Sequence, residues 1–245
     1  LALERRLRNA EKLSALHTLS AGIAHEIRNP LSALDLNVHL LEEDLREHRA
    51  GSSKVFSYLD IVNAEIRRLK GILDNFLKFS RPAPIEMREV RIEEAIAHIV
   101  QLFHHEASER CIKVETTMGA RLPQVRGDET QLSQALLNIV VNAVQSMPNG
   151  GVCRIIANNR WLEGREWIEI VVQDTGVGIK QQDLSRLFEP FYTNKPSGSG
   201  LGLAIAYRIV EDHGGQVQVS SEEGQGTTVT VRLPVASGAV EKVEA

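Results

Sequence analysis

Pro82 and Pro84, one residue apart, divide this chain into two kinds of sequence. Prolines so spaced cannot continue a helix and hold the backbone extended, so the pattern before Ser80 has to end there. Before the break, apolar residues recur at helical spacing. Leu13, Leu16, Ser20, Ile23 and Ile27 form a heptad seam, and beyond Pro30 the seam changes phase to Leu31, Leu34, Val38, Leu41 and Leu45. One long helix is predicted from residue 3 to about 47, kinked just after Pro30, where a backbone donor is missing. Gly51-Ser52-Ser53 is a turn signal. A second helix follows, with Tyr58, Val62, Ile66, Leu69, Leu73 and Phe76 on one stripe. A two-helix hairpin covers only one face. Two copies pairing into a four-helix bundle would cover the rest, so a homodimer is expected.

After the prolines the pattern mixes helix and strand. Val90 to Ala107 has helical period and Ile112 to Met118 alternates like a strand. Asp128 is placed to cap a helix with core side Leu132, Leu136, Val140, Ala143 and Met147. Asn149-Gly150-Gly151 turns the chain into strands at Val152 to Asn158 and Trp167 to Asp174. A helix around Leu203 to Asp212 precedes two closing strands, Gln216 to Ser221 and Thr227 to Leu233. Strands and helices without regular alternation favour an α+β sandwich over a doubly wound sheet. The expected domains are a helical hairpin over 1–82, a sandwich over 85–235 and a frayed tail over 236–245.

Composition excludes more than it identifies. A net charge of -4 and a pI near 6.1 argue against a nucleic-acid-binding surface. Cys111 and Cys153 are the only cysteines, which suits a reducing compartment and offers no disulfide or zinc framework. His104-His105 diverge on a helix and read as solvated surface rather than metal ligands. No run approaches the ~20 apolar residues of a membrane span, and no signal peptide is visible. The first residues already read as mid-helix, as in a piece cut from a longer protein.

Several groups of residues suggest chemistry. His25 falls at position f of the first seam, held into solvent with Glu26 beside it and Asn29 one turn on. Taken alone it is a surface histidine in a charged helix face. Asn138 and Asn142 share a helix face offset from the apolar stripe, and an amide oxygen is a hard ligand suited to Mg²⁺. Two helical asparagines can equally face solvent. In the strand Ile168, Ile170, Val172, Asp174, the alternation carries a carboxylate onto the inward face. Such a carboxylate needs a donor, and the exocyclic amine of adenine is a fitting one. Gly176 and Gly178, just after it, let the backbone approach a ligand closely, and the Thr227 hydroxyl shares the inward face of the last strand. Gly198, Gly200, Leu201 and Gly202 lead into a helix whose free amides suit a phosphate chain. Between the glycine segments lies a polar stretch with Phe188, Phe191 and Lys195, which reads as a lid.

In this order the motifs resemble the transmitter core of a two-component sensor histidine kinase, of the group similar to nitrogen-regulation sensors. HEIRNPL resembles the H box, NIVVNAVQSM the N box, DTGVGI the G1 box, FEPF the F box and GSGLGL the G2 box. The resemblance covers the chain from about Leu13 to Leu233. It implies an ATP-binding α/β sandwich beside a dimerisation and histidine-phosphotransfer hairpin, with ATP and Mg²⁺ as cofactors. It also implies that His25 is the phosphoacceptor, Glu26 its activating base, Asn142 the Mg²⁺ ligand supported by Asn138, and Asp174 the adenine reader. The implied reaction is ATP-dependent phosphorylation of His25, then transfer to an aspartate of a response-regulator receiver domain. In relatives with Asn three residues after the Glu, that Asn positions a water against the regulator's phosphoaspartate, so Asn29 is expected to serve a phosphatase activity. One departure is Gln145, where many relatives carry a basic residue at the phosphates, which leaves Lys195 as a candidate cation. The implied location is the cytoplasm, including the cytoplasmic part of an inner-membrane sensor. Two other readings are an ATP-driven clamp like gyrase or mismatch-repair ATPases, and a dimeric scaffold with a decayed nucleotide site. His25 with Glu26 on a helical hairpin speaks against the clamp, and the intact site residues speak against the scaffold.

Overall fold

A computed structural model describes residues 27, 29–43, 45, 53–80, 84–195 and 200–236. These fall into two compact units, the helices together with Thr193–Leu201, and Pro84–Tyr192 together with the residues from Gly202 on. His25, Glu26 and Gly198 lie outside the described residues.

In the first unit, helix α1 is described over residues 29–43 and is helical through Pro30, which is buried. Helix α2 spans Ser53–Ser80. Asn37 is buried on α1 and donates its amide to the Ala33 carbonyl at 2.7 Å, one turn back. Several seam positions are open to solvent in the single chain. Leu31, Val38 and Leu45 on the first helix and Ile66 and Leu73 on α2 are each 41–51% exposed.

The second unit is built on a five-stranded sheet in the order β2-β4-β5-β7-β6. Its strands are β2 (Ile112–Met118), β4 (Gly151–Leu162), β5 (Arg165–Asp174), β6 (Gln216–Glu222) and β7 (Gly226–Pro234). Only the β2–β4 pair is parallel. Helices α3 (Ile92–Glu109), α4 (Glu129–Gln145) and α6 (Gly202–Asp212) supply the other half of the core. Ile155, Ile170, Val172, Val229 and Val231 of the strands cluster there with Ile96, Ile99, Leu132, Leu136 and Val140 of the helices. The alternate strand residues carry charge, as in the chain Arg160–Glu169–Arg232, with contacts of 3.1 and 2.9 Å. The period-two pattern therefore does what it does in a sheet covered on one side.

Two features depart from the sequence expectation. A short antiparallel pair, β1 (Arg88–Val90) with β3 (Val125–Gly127), draws Val90 opposite Val125, so α3 begins at Ile92 rather than Val90. Three-residue strands are too short to carry an alternation signal. The β4–β5 hairpin also runs past Asn158 to Leu162, closed by Glu163-Gly164 with φ of 52° and 75°. Two residues in the left-handed region match the turn that continues the twist of paired strands.

Helix α4 begins as its sequence predicts. The Asp128 carboxylate accepts from the Gln131 amide at 3.1 Å and from the Glu86 amide at 3.1 Å. Burial pushes its carboxyl up, but donation from the Glu86, Gln131 and Thr130 amides outweighs that. The group titrates below its ordinary value. The Asp128 N–H donates to Nε2 of the buried His213 at 3.0 Å, so the ring proton sits on Nδ1, 2.7 Å from the Ile209 carbonyl. This joint ties the end of α6 to the start of α4.

Candidate functional site: the inward row beneath the end of α4

Four strands place one cross-strand row at the end of the sheet's inner face. Cys153 on β4 stands opposite Asp174 on β5, Asp174 opposite Thr227 on β7, and Thr227 opposite Ser221 on β6. Alternation alone dictates that these side chains share a face with Ile155, Val172 and Val229. The row is polar where the rows behind it are apolar. Asp174 and Thr227 are only 5% and 8% exposed, so each needs partners.

Those partners come from the chain itself. Asp174 Oδ1 accepts from the Ser146 hydroxyl at 2.8 Å and from the Gly176 amide at 2.8 Å. The Thr227 hydroxyl lies 2.9 Å from the Ser221 hydroxyl, which also accepts from the Ile179 amide at 2.9 Å and donates to the Gly226 carbonyl at 2.8 Å. Ser221 thus links the strand carrying Thr227 to the start of the segment that follows the glycine turn. The Cys153 thiol is pushed up to about 11, first by burial and then by the Asp174 charge, which makes it an inert core group.

The glycines of the turn are packed closely against the chain itself. A Cβ on Gly176 would run into the hydroxyl and carbonyl of Ser146, and one on Gly178, where φ is 66°, into the Glu222 carbonyl. The space beside both is filled by this chain, so their lack of a side chain lets the turn pack against Ser146 and Glu222. The turn is fastened further by Val177 N–H to Ser146 O at 3.0 Å and Gly224 N–H to Val177 O at 2.8 Å.

Asn138 and Asn142 face the start of α6. The Asn138 amide donates to the Gly202 carbonyl at 3.1 Å and accepts from Gln134 at 2.9 Å, so both ends of that amide are used within the protein. Asn142 is half-buried one turn further along α4. Among the described residues, a Cβ built on Gly202 would meet the Asn142 amide at 3.6 Å and Asn138 Cβ at 4.0 Å, both ordinary contacts. Amide oxygen chemistry at Asn142, beside the N-terminus of α6, fits a Mg²⁺–phosphate group, whose remaining ligands are phosphate oxygens and water.

The polar stretch after Gly178 contains the short helix α5 (Gln181–Leu184). Its Phe188 ring lies 4.6 Å from Tyr207 on α6, and the Arg186 guanidinium sits 4.2 Å over the Tyr192 ring. Phe191 takes a φ of 66°, unusual for a residue with a side chain. Lys195, Gly200 and Leu201 belong to the other unit. There the Lys195 amide donates to the Thr193 hydroxyl at 3.1 Å, Gly200 has φ of 61° and Leu201 is fully buried. Asn29 is a helical, exposed residue of the first unit.

Sequence reasoning missed Ser146 and Ser221. Neither stands out locally, because each becomes significant only through a partner on another element. The position of Ser146 at the end of α4, next to the asparagine pair, was the one available signal. His104 and His105 are both exposed, and among the described residues no cluster of three metal-ligating side chains exists. Among those residues no helix is long and apolar enough to cross a membrane.

An α/β sandwich carries both the buried Asp174 under the end of α4 and the asparagine face at the start of α6. Residues 127–237 match the family described as histidine kinase-, DNA gyrase B-, and HSP90-like ATPase, and residues 15–84 match the His Kinase A (phospho-acceptor) domain. The chain belongs to the sensor histidine kinases, as a transmitter core. It is 36% identical over 233 residues to the sensor histidine kinase ZraS of Escherichia coli K12, covering 95% of this chain and 48% of that protein. To sporulation kinase E of Bacillus subtilis strain 168 it is 34% identical over 240 residues, covering 98% and 31%. The chain thus spans half or less of the length of these relatives. The crystal structure of histidine kinase ThkA in complex with response regulator protein TrrA shares the fold with a TM-score of 0.76 at 24% identity, covering 96% of this chain and 66% of that one.

Proposed function

We propose that the chain binds ATP with Mg²⁺ in the sandwich, phosphorylates His25, and passes the phosphoryl group to an aspartate on a response-regulator receiver domain. The observation that carries this reading is a phospho-acceptor domain at 15–84 joined to an ATPase domain at 127–237 in one chain. An ATPase domain of this family is shared with DNA-handling clamps, and the phospho-acceptor hairpin is what separates the two. Asp174 would accept the adenine amine and Thr227, beside it, would complete the base pocket. Asn142 would hold Mg²⁺ with Asn138 anchoring the helix face to Gly202, and the bound ion would offset phosphate charge. Gly198, Gly200, Leu201 and Lys195 would serve the phosphate chain, and Glu26 would activate His25.

The chain would act as a homodimer, supported by the exposed apolar seam residues on both helices. A nitrogen-regulation-like grouping is proposed from the resemblance of the motif set as a whole, HEIRNPL to GSGLGL. A cytoplasmic location, including that of the inner portion of a membrane-anchored sensor, follows from the reaction's need for ATP and a receiver.

The test is incubation with labelled ATP. The label should be lost in mild acid and kept in alkali, as an N–P bond requires, and it should vanish in His25→Ala while ATP binding persists. Label retained in His25→Ala would overturn the assignment. We also propose a regulator phosphatase role for Asn29, an exposed helical amide able to orient a water by donating to and accepting from it. Asn29→Ala should keep autophosphorylation and lose the acceleration of phospho-receiver decay. Equal acceleration by both proteins would leave Asn29 a surface residue.

A further inference from the structure

We propose that Ser146 is a positioning residue for base selection, holding the Asp174 carboxylate in the orientation that accepts adenine's exocyclic amine. The proposal rests on the adenine reading above.

Ser146 is the C-cap residue of α4, and its N–H donates to the Asn142 carbonyl at 3.0 Å. From this end of the helix it meets the turn after β5 at three points. Its hydroxyl lies 2.8 Å from Asp174 Oδ1, its carbonyl accepts the Val177 N–H at 3.0 Å, and its side chain fills the space where a Cβ of residue 176 would stand. The hydroxyl has a single hydrogen and a second acceptor in reach, the Ala143 carbonyl at 2.7 Å. Between a carbonyl and a carboxylate, the charged acceptor makes the stronger bond, so Asp174 takes the hydrogen. The Gly176 amide reaches the same oxygen from the other side at 2.8 Å.

With Oδ1 gripped by two donors, the carboxylate cannot turn about its terminal bond, a torsion that is otherwise soft in aspartate. The direction of Oδ2 is then set by the helix end and not by the strand. Because Ser146 also belongs to the helix turn that carries Asn142, one rigid element fixes both the base-reading carboxylate and the amide proposed for the metal. The distance between base and phosphate subsites is built into the last turn of α4.

Calorimetric titration of the full chain with ATP and with inosine triphosphate tests this. Inosine triphosphate carries a carbonyl oxygen where adenine has its amine, so it gains nothing from Asp174. In Ser146→Ala, ATP affinity should fall about tenfold, the size of one hydrogen bond to a charged group, while inosine triphosphate affinity holds. The preference for ATP therefore collapses toward the level of Asp174→Asn, and adding Ser146→Ala to Asp174→Asn should change ATP affinity no further. Ser146→Cys, which keeps the volume and replaces the hydroxyl by a weak donor, should behave like Ser146→Ala and stands in for it if that variant does not fold. An unchanged preference in either folded variant would overturn the proposal, as would an equal loss for both nucleotides, which is the mark of a structural role alone. Absence of any preference in the wild-type protein would instead refute the adenine reading of Asp174, leaving the two failures distinguishable.

Discussion

Two glycine-bearing segments flank the proposed nucleotide site, and they differ in what their missing side chains make room for. In the turn after β5, Gly176 and Gly178 are pressed against Ser146 and Glu222, so the protein itself occupies the space. At the start of α6, a Cβ on Gly202 would make, among the described residues, only ordinary contacts with Asn138 and Asn142. A glycine pattern alone treats these as the same signal. The first segment needs glycine for its own packing, whereas the described residues around Gly202 leave room for a methyl group.

The comparison is broken most sharply at the turn. Gly178→Ala combines a clash with the Glu222 carbonyl with a left-handed φ, and Gly176→Ala a clash with Ser146. Each should cost about 1–3 kcal/mol or more, as overpacking does, and lower the thermal midpoint with or without nucleotide. A midpoint equal to wild type in both variants would mean that the turn has room the structure denies it.

Gly202→Ala should do the reverse. Its stability should stay within about 0.5 kcal/mol of wild type, since among the described residues the new methyl meets nothing closer than 3.6 Å. Binding of Mg-ATP should weaken about tenfold or more by calorimetry, because the methyl stands where a phosphate would approach. Undiminished affinity in this variant would erase the distinction between the two segments.

The smallest effect is expected at the far end of α4, away from Ser146. Asp128→Ala removes the helix cap and should cost about 1 kcal/mol in thermal unfolding at neutral pH, with little change in ATP affinity. The Asp128 carboxyl titrates below its ordinary value in the folded chain, so its contribution is present above the ordinary aspartate range and is lost as pH falls through the folded value. The stability gap between wild type and variant should therefore narrow as the pH drops below about 3.9. A gap that widens in acid would have the linkage backwards, and a large loss of ATP affinity would show that the cap end reaches the base pocket.

Much of this fold was legible because its elements carry their own periods. The strand Ile112–Met118 appears with the bounds its alternation predicts, and Asp128 caps α4 through the Gln131 amide as its position suggested. The same alternation put Asp174 and Thr227 inward before any pairing was known. It could not say that they would stand opposite one another, since register joins residues 53 apart in the chain. The β1–β3 pair and the extended β4–β5 hairpin were missed because three-residue strands have no period and Asn158, Asn159 and Arg160 read as the end of a strand.

Local sequence specified the type and order of the longer helices and strands, which of their faces are apolar, and the order of the five motifs. These depend on neighbours within a few residues, so the pattern of side chains is enough. Tertiary structure decided what holds the site: Ser146 against Asp174, Ser221 between Thr227 and Ile179, and His213 under Asp128. Each is a hydrogen bond between groups from 28 to 85 residues apart, or one made across paired strands. A serine or histidine carries no mark of such a partner until the chain closes and burial leaves each polar group needing one.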